Sequence, residues 1–206
     1  MFSSLALAAL LTMSPAQLGG TLTLTNARSN YGELGTIRPD NKLLPGDIFF
    51  LGFDIEAIKV DEEGSVSYTM SMEVVDKAGK SIFKQKPENK KDFLPLGGNK
   101  LPARAFVSIG LDQAPGIYTC KVIVEDRAAK TTATMEKNFE VVAPGFGLVQ
   151  VYTSCDDRGA LPAPQVGIVG QSVWVQFALV GFERGKDPSQ PEIGRASCRE
   201  RVCVPV

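Results

Sequence analysis

The sequence predicts an all-β chain: an antiparallel β-sandwich of about seven strands, followed by a truncated second β-sandwich repeat. Three observations carry this. Apolar residues recur with period two along most of the chain, and no window outside the N-terminal segment sustains a helical period. Gly, Pro and Asp clusters interrupt the apolar runs at short, regular intervals. A stretch near the C-terminal end also repeats the glycine and apolar pattern of one near the start.

The elements follow in order. Residues 21–26 (TLTLTN) alternate cleanly and predict a first strand. A polar loop with Gly32, Gly35 and Pro39 leads to a turn at Pro45-Gly46-Asp47. Residues 48–57 form a longer apolar strand, with Phe49, Leu51, Phe53 and Ile55 on one face. Asp61-Glu62-Glu63-Gly64 closes a hairpin into residues 65–75, where Val66, Tyr68, Met70, Met72 and Val74 alternate with small or polar residues. After a turn at 76–80, residues 81–86 continue as a strand. Residues 87–91, charged and led by Pro87, are expected to leave the sheet as a loop. Residues 103–111, 117–126 and 130–142 complete the set, the middle one alternating Tyr118, Cys120, Val122 and Val124.

One local pattern is more specific. The segment Asp112-Gln113-Ala114-Pro115-Gly116-Ile117-Tyr118-Thr119-Cys120 resembles the corner between the fifth and sixth strands of immunoglobulin-like (Ig-like) domains. The resemblance implies that Tyr118 hydrogen-bonds back across the corner and that Cys120 is buried behind it. It covers roughly residues 20–142 and reaches only the broad Ig-like sandwich class. Antibody-type domains carry a partner Cys and a core Trp; this chain has Phe53 and the pair Met70 and Met72 at those places.

Residues 44–58 (LPGDIFFLGFDIEAI) align with residues 168–182 (IVGQSVWVQFALVGF). Gly46 falls on Gly170, Phe53 on Phe177 and Gly35 on Gly159 at one common offset. The domain expectation is therefore a sandwich over residues 17–143 and the first two strands of a second copy over 144–191. Two strands cannot bury a sandwich core alone. Trp174 and its apolar neighbours are then partly exposed here, and expected in the core of a full second copy.

The termini read differently. Residues 5–11 (LALAALL) precede Ser14-Pro15-Ala16, with small residues where a signal peptidase cuts. Residues 1–16 are thus expected to be a signal peptide, although no Lys or Arg precedes the apolar run, and the protein is expected in the periplasm, cell envelope or extracellular space. The run is shorter than the ~20 apolar residues that span a bilayer, and no other segment reads as a membrane span. Residues 192–202 (EIGRASCRERV) resemble the in-frame translation of a common sequencing-library adapter, so residues 192–206 are expected to be a non-native tail, Cys198 and Cys203 included. Cys120 and Cys155 remain, expected as mostly buried free thiols unless Cys155 pairs with a residue beyond the truncation.

Composition narrows the function. The chain has 22 basic and 23 acidic residues and a formal charge of −1, which argues against a nucleic-acid partner. It has no histidine, so imidazole-based triads and His-ligated metals are excluded for this chain. No nucleophile elbow, P-loop or dinucleotide fingerprint is present, and no catalytic or cofactor-binding residue is assigned. Asp61, Glu62, Glu63, Asp156 and Asp157, with Asp54, Glu56 and Asp76, are candidate Ca²⁺ ligands, against the simpler reading of solvated turn residues. Trp174, Tyr152, Phe146 and Tyr31 are candidate sugar-stacking aromatics, against core packing. Lys84, Lys86, Lys90 and Lys91, interleaved with Glu88 and Asp92, read as a soluble loop. The structural residues are Tyr118, Cys120, Phe53 and Trp174. The function expected is a non-catalytic structural, adhesive or partner-binding module of a longer exported protein, its partner a protein or polysaccharide of the cell envelope. The alternatives are accessory domains of an exported enzyme and a carbohydrate-binding module.

Overall fold

The structure, a computed structural model, describes residues 20–181 and the backbone of residues 196–198. The expected signal peptide and nearly all of the expected adapter tail lie outside the described residues. The described chain is all-β. Strands β1 (Thr23–Asn30), β3 (Ile48–Glu56) and β6 (Lys100–Ser108) form one antiparallel sheet in the order β1-β3-β6. Strands β2 (Lys42–Leu43), β4 (Ser65–Asp76), β5 (Ser81–Phe93), β7 (Gly116–Asp126) and β8 (Thr131–Val141) form the facing sheet in the order β2-β8-β7-β4-β5. Its pairs are antiparallel except the short β2, which runs parallel to β8.

The period-two pattern explains the packing. Phe49, Leu51, Phe53 and Ile55 on β3 are all 0–1% exposed. Opposite them lie Val66, Tyr68, Met70, Met72 and Val74 from β4 and Tyr118, Cys120, Val122 and Val124 from β7. The Phe49 ring stacks on Phe139 of β8 at 4.5 Å, and Tyr118 stacks on Phe139 at 5.7 Å. Each such side chain contributes about 1.5–3 kcal/mol by leaving water.

Two sequence expectations need correction. Residues 87–91 are not a loop: β5 runs on through them to Phe93. The pairing slips between Met70–Glu88 and Met72–Gln85, which leaves Lys86 and Pro87 opposite Ser71 alone. A proline has no N–H to give the ladder, and an edge-strand bulge is where its absence costs nothing. Cys155 is exposed rather than buried, although both it and Cys120 are free.

The second unit begins with β9 (Gly147–Ser154) and β10 (Trp174–Val180), paired antiparallel. A third strand, β11 (Ala196–Cys198), adds to the free edge of β10. The β9–β10 hairpin repeats the β1–β3 hairpin residue for residue at an offset of 124. Thr23–Glu56 becomes Gly147–Val180, Arg28–Gly52 becomes Tyr152–Gln176, and Asn30–Phe50 becomes Ser154–Trp174. The bulge recurs at the same place. Its left-handed residue is Asn26 (φ 53°) in the first hairpin and Gln150 (φ 54°) in the second, 124 residues on. Non-glycine residues adopt that conformation uncommonly, so its recurrence is a demanding coincidence for unrelated hairpins.

Candidate inter-repeat interface

A buried polar cluster lies where the two units meet, and Asp47 is its centre. The turn before β3 places Asp47 at the end of the first sandwich, beside Gly46 in the left-handed region (φ 91°). Asp47 is 4% exposed. Its Oδ2 accepts a 2.7 Å hydrogen bond from Arg38 Nη2, an ion pair with both side chains nearly buried. Its Oδ1 accepts the N–H groups of Ile48 and, across the junction, of Gln150, both at 2.8 Å. The bulge at Gln150 turns that N–H out of the β9 ladder and towards the carboxylate. The Gln150 side chain completes the clasp by donating from Nε2 to the Gly46 carbonyl at 2.9 Å.

Packing closes around this centre. The Tyr31 ring lies 4.6 Å from the Arg38 guanidinium carbon, a cation–π contact. Thr36 Oγ1 donates to Gln165 Oε1 at 2.8 Å. Glycines allow the close approach: a Cβ on Gly32 would sit 2.7 Å from Tyr152 Cβ, and one on Gly147 would strike Leu44. Asp47 carries a compensated charge, with an Arg partner and two N–H donors. Removing one partner from such a buried set costs about 3–5 kcal/mol. The arrangement ties the turn before β3 to β9.

The sequence-predicted candidates are dispersed. Asp61 Oδ1 accepts the N–H groups of Glu63 and Ser65, and Asp76 Oδ1 those of Ala78 and Lys80. Asp156 accepts from Arg158, Ala160 and Leu161, and these backbone bonds hold its carboxyl below the usual range. Each closes its own turn, and neither Glu62 nor Asp157 joins a cluster. Among the described residues no group of three or more His, Cys, Asp or Glu side chains is placed to hold a metal ion. Asp54 receives Asn26 Nδ2 at 2.7 Å and Lys100 Nζ at 2.9 Å, which lower its pKa, and Lys100 also reaches Glu56 at 3.2 Å.

The four aromatics do not form one platform. Tyr31 and Tyr152 belong to the junction, Phe146 is 72% exposed beside it, and Trp174 is half-buried. That partial exposure is what the sequence leads one to expect of Trp174 in this chain. By the repeat offset it takes the place of Phe50, which points away from the sandwich interior, while Val173, Val175, Phe177 and Leu179 take the inward places. The stacked surface pair is Phe50 with Phe106, directly opposite on β3 and β6 with centroids 5.4 Å apart. Sequence reading missed it because cross-strand register decides it.

Tyr118 donates its O–H to the Ala114 carbonyl at 2.7 Å and accepts from Gln113 Nε2 at 2.7 Å. Cys120 behind it is fully buried, and burial pushes its thiol pKa up to about 12. A cleft of about 100 Å³ opens beside this corner, lined by Val74, Ile82, Phe83, Ile109, Tyr118 and Phe139 among others. Small-molecule sites start at roughly 300 Å³. Arg38, Asp47 and Gln150 also went unread in the sequence. The only local signal was the Gly46-Asp47 turn, and the partner lies 103 residues away.

No family model matches the chain, and no curated protein matches it. Among solved structures it is similar to a Pseudomonas fluorescens alkylpurine DNA glycosylase bound to DNA, with 16% identity and a TM-score of 0.36 over 61% of this chain and 31% of that one. It is also similar to a family 123 glycoside hydrolase from Clostridium perfringens, with 13% identity and a TM-score of 0.37 over 59% and 27%. For the sporulation control protein Spo0M of Bacillus subtilis the values are 10% and 0.37 over 79% and 68%. The matched region thus spans about a third or less of the first two.

Proposed function

We propose that this chain is a non-catalytic, Ig-like tandem module of an exported protein, acting as a structural, adhesive or partner-binding element in the periplasm, in the cell envelope or outside the cell. Three features support the Ig-like assignment: the strand order of the two sheets, the parallel pairing of β2 with the last strand, and the Tyr118–Ala114 bond at the corner. The tandem role rests on the Asp47 clasp. A buried, fully paired carboxylate shared by two repeat units makes a fixed joint, and a fixed joint suits a chain that holds its modules at set spacing rather than one that turns over a substrate.

The test has two parts. Small-angle scattering and ¹⁵N relaxation on the full chain should report one rigid body, and Asp47→Ala should let the second unit tumble separately while the first sandwich stays folded. Independent motion in the unaltered chain would sink the rigid-joint role. Expression in a bacterial host should give a mature N-terminus after Ala16; an unprocessed cytoplasmic product would sink export. The Phe50–Phe106 pair favours a second reading, sugar binding, because the two rings stack and Phe106 is 55% exposed. Titration with envelope polysaccharides against Phe106→Ala discriminates: no binding, or equal binding by both, discards it.

A further inference from the structure

We infer that the inward face of the β9–β10 sheet is the receptor for a facing β-sheet supplied by the natural polypeptide that follows β10, so that the hairpin is half of a second sandwich built on the plan of the first. The inference rests on the tandem reading above and names what its second unit lacks.

The template is inside the molecule. Val173, Val175, Phe177 and Leu179 lie 124 residues beyond Phe49, Leu51, Phe53 and Ile55, and β9 pairs with β10 in the register of β1 with β3. Phe146 and Leu148 likewise fall on Leu22 and Leu24. In the first unit these places are covered by the sheet containing β4, β7 and β8, and Leu51 is 1% and Leu22 3% exposed. In the second unit Val175 is 42%, Leu148 55% and Phe146 72% exposed. The row is buried in the first copy except for the half-buried Leu24, whereas in the second Val175, Leu148 and Phe146 are exposed and Val173, Phe177 and Leu179 half-buried, although the chain beneath it is folded alike. A contiguous apolar strip of this kind marks a surface built to be covered. Its occupant must match what covers the first copy: antiparallel strands alternating aliphatic, Met or aromatic side chains inward, as in residues 66–74 and 118–124.

The chemistry of the strip favours a sheet of the same polypeptide over other occupants. It carries no charged residue among Val173, Val175, Phe177 and Leu179, so charge pairing selects no separate partner. The first unit's five-stranded sheet is already committed to β1, β3 and β6, so it is not free to cover a neighbour.

The experiment starts by sequencing the source gene across the Pro191 codon and expressing the natural reading frame to about residue 265, the counterpart of Val141 one repeat on. The 206-residue chain is compared with it by hydrogen exchange of Trp174–Val180 and by binding of the dye ANS. In the longer chain these amides should exchange at least about tenfold more slowly, and dye binding should vanish. Val175→Lys should abolish cooperative unfolding of the second unit in the longer chain and leave the 206-residue chain's unfolding midpoint unchanged. Three results would overturn the inference: a natural frame that stops near residue 206; a longer chain whose β10 exchanges no more slowly; and a 206-residue chain that sediments as a dimer dispersed by Val175→Lys, which would make a second copy the occupant. None of these bears on cleavage after Ala16, so failure of the export reading is separately visible.

Discussion

At the scale of single residues, buried polar groups set the sharpest constraints. Tyr118 hydrogen-bonds across the corner while its ring stacks on Phe139. Tyr118→Phe keeps the ring and loses the bond, so stability measured by urea unfolding should fall by about 1–2 kcal/mol. Cys120 and Tyr68 answer to pH. Burial raises the thiol of Cys120 from its ordinary 9.0 to about 12, and burial with the Asp92 bond raises Tyr68. In the unfolded chain both groups ionise at their ordinary values, whereas in the folded chain they stay neutral. Their contribution is therefore complete below about pH 9 and drains away as pH rises towards 12. The urea midpoint should be lower at about pH 10.5 than at about pH 8, and Cys120→Val should flatten part of that slope. Equal slopes with and without the thiol would refute its role. In thiol labelling read by peptide mass, Cys120 should react only after unfolding, while exposed Cys155 reacts in the native protein.

At the scale of elements, β5 shows how an exposed edge is kept from pairing with another chain. It is the outermost strand of its sheet, carries Lys84, Lys86, Lys90 and Lys91, and bulges at Pro87. Charge, a missing N–H and a kink all blunt an edge. Replacing Pro87 by Val and Lys84 and Lys86 by Thr should therefore produce concentration-dependent self-association in size-exclusion chromatography, with the monomer fold unchanged. The same strand shows why its extent was misread. Pro87 and a charged run signal a loop by composition, yet at a solvent-facing edge both are compatible with a strand. The core strands were legible because β3, β4 and β7 bury one face and leave the other largely half-buried, which forces the alternation that the sequence displays.

At the scale of the molecule, the clasp at Asp47 joins what the repeat merely places in sequence. Gly46→Ala puts a Cβ 2.8 Å from Leu111 Cδ2 and 3.1 Å from Val180 Cγ1 at a left-handed position. It should cost about 1–3 kcal/mol and loosen the two units together, seen as a lower melting temperature with faster exchange in β9. The tandem plan was partly legible, since Gly46 over Gly170 and Phe53 over Phe177 set the offset. Which residues make the joint was not. Arg38, Asp47 and Gln150 are ordinary polar residues in the sequence, and only the bulge at Gln150 aims its N–H at a carboxylate 103 residues earlier.

The sequence by itself determined the all-β class, the core-facing row of each central strand and the offset at which the glycine and apolar pattern recurs. Each follows from a local rule: period-two side-chain alternation, turn chemistry, and recurrence of both at one offset. The tertiary structure decided the rest: the reach of β5 through Pro87, the Phe50–Phe106 pair and the Asp47 clasp. These depend on register between strands distant in the chain, where a shift of one residue exchanges inside for outside.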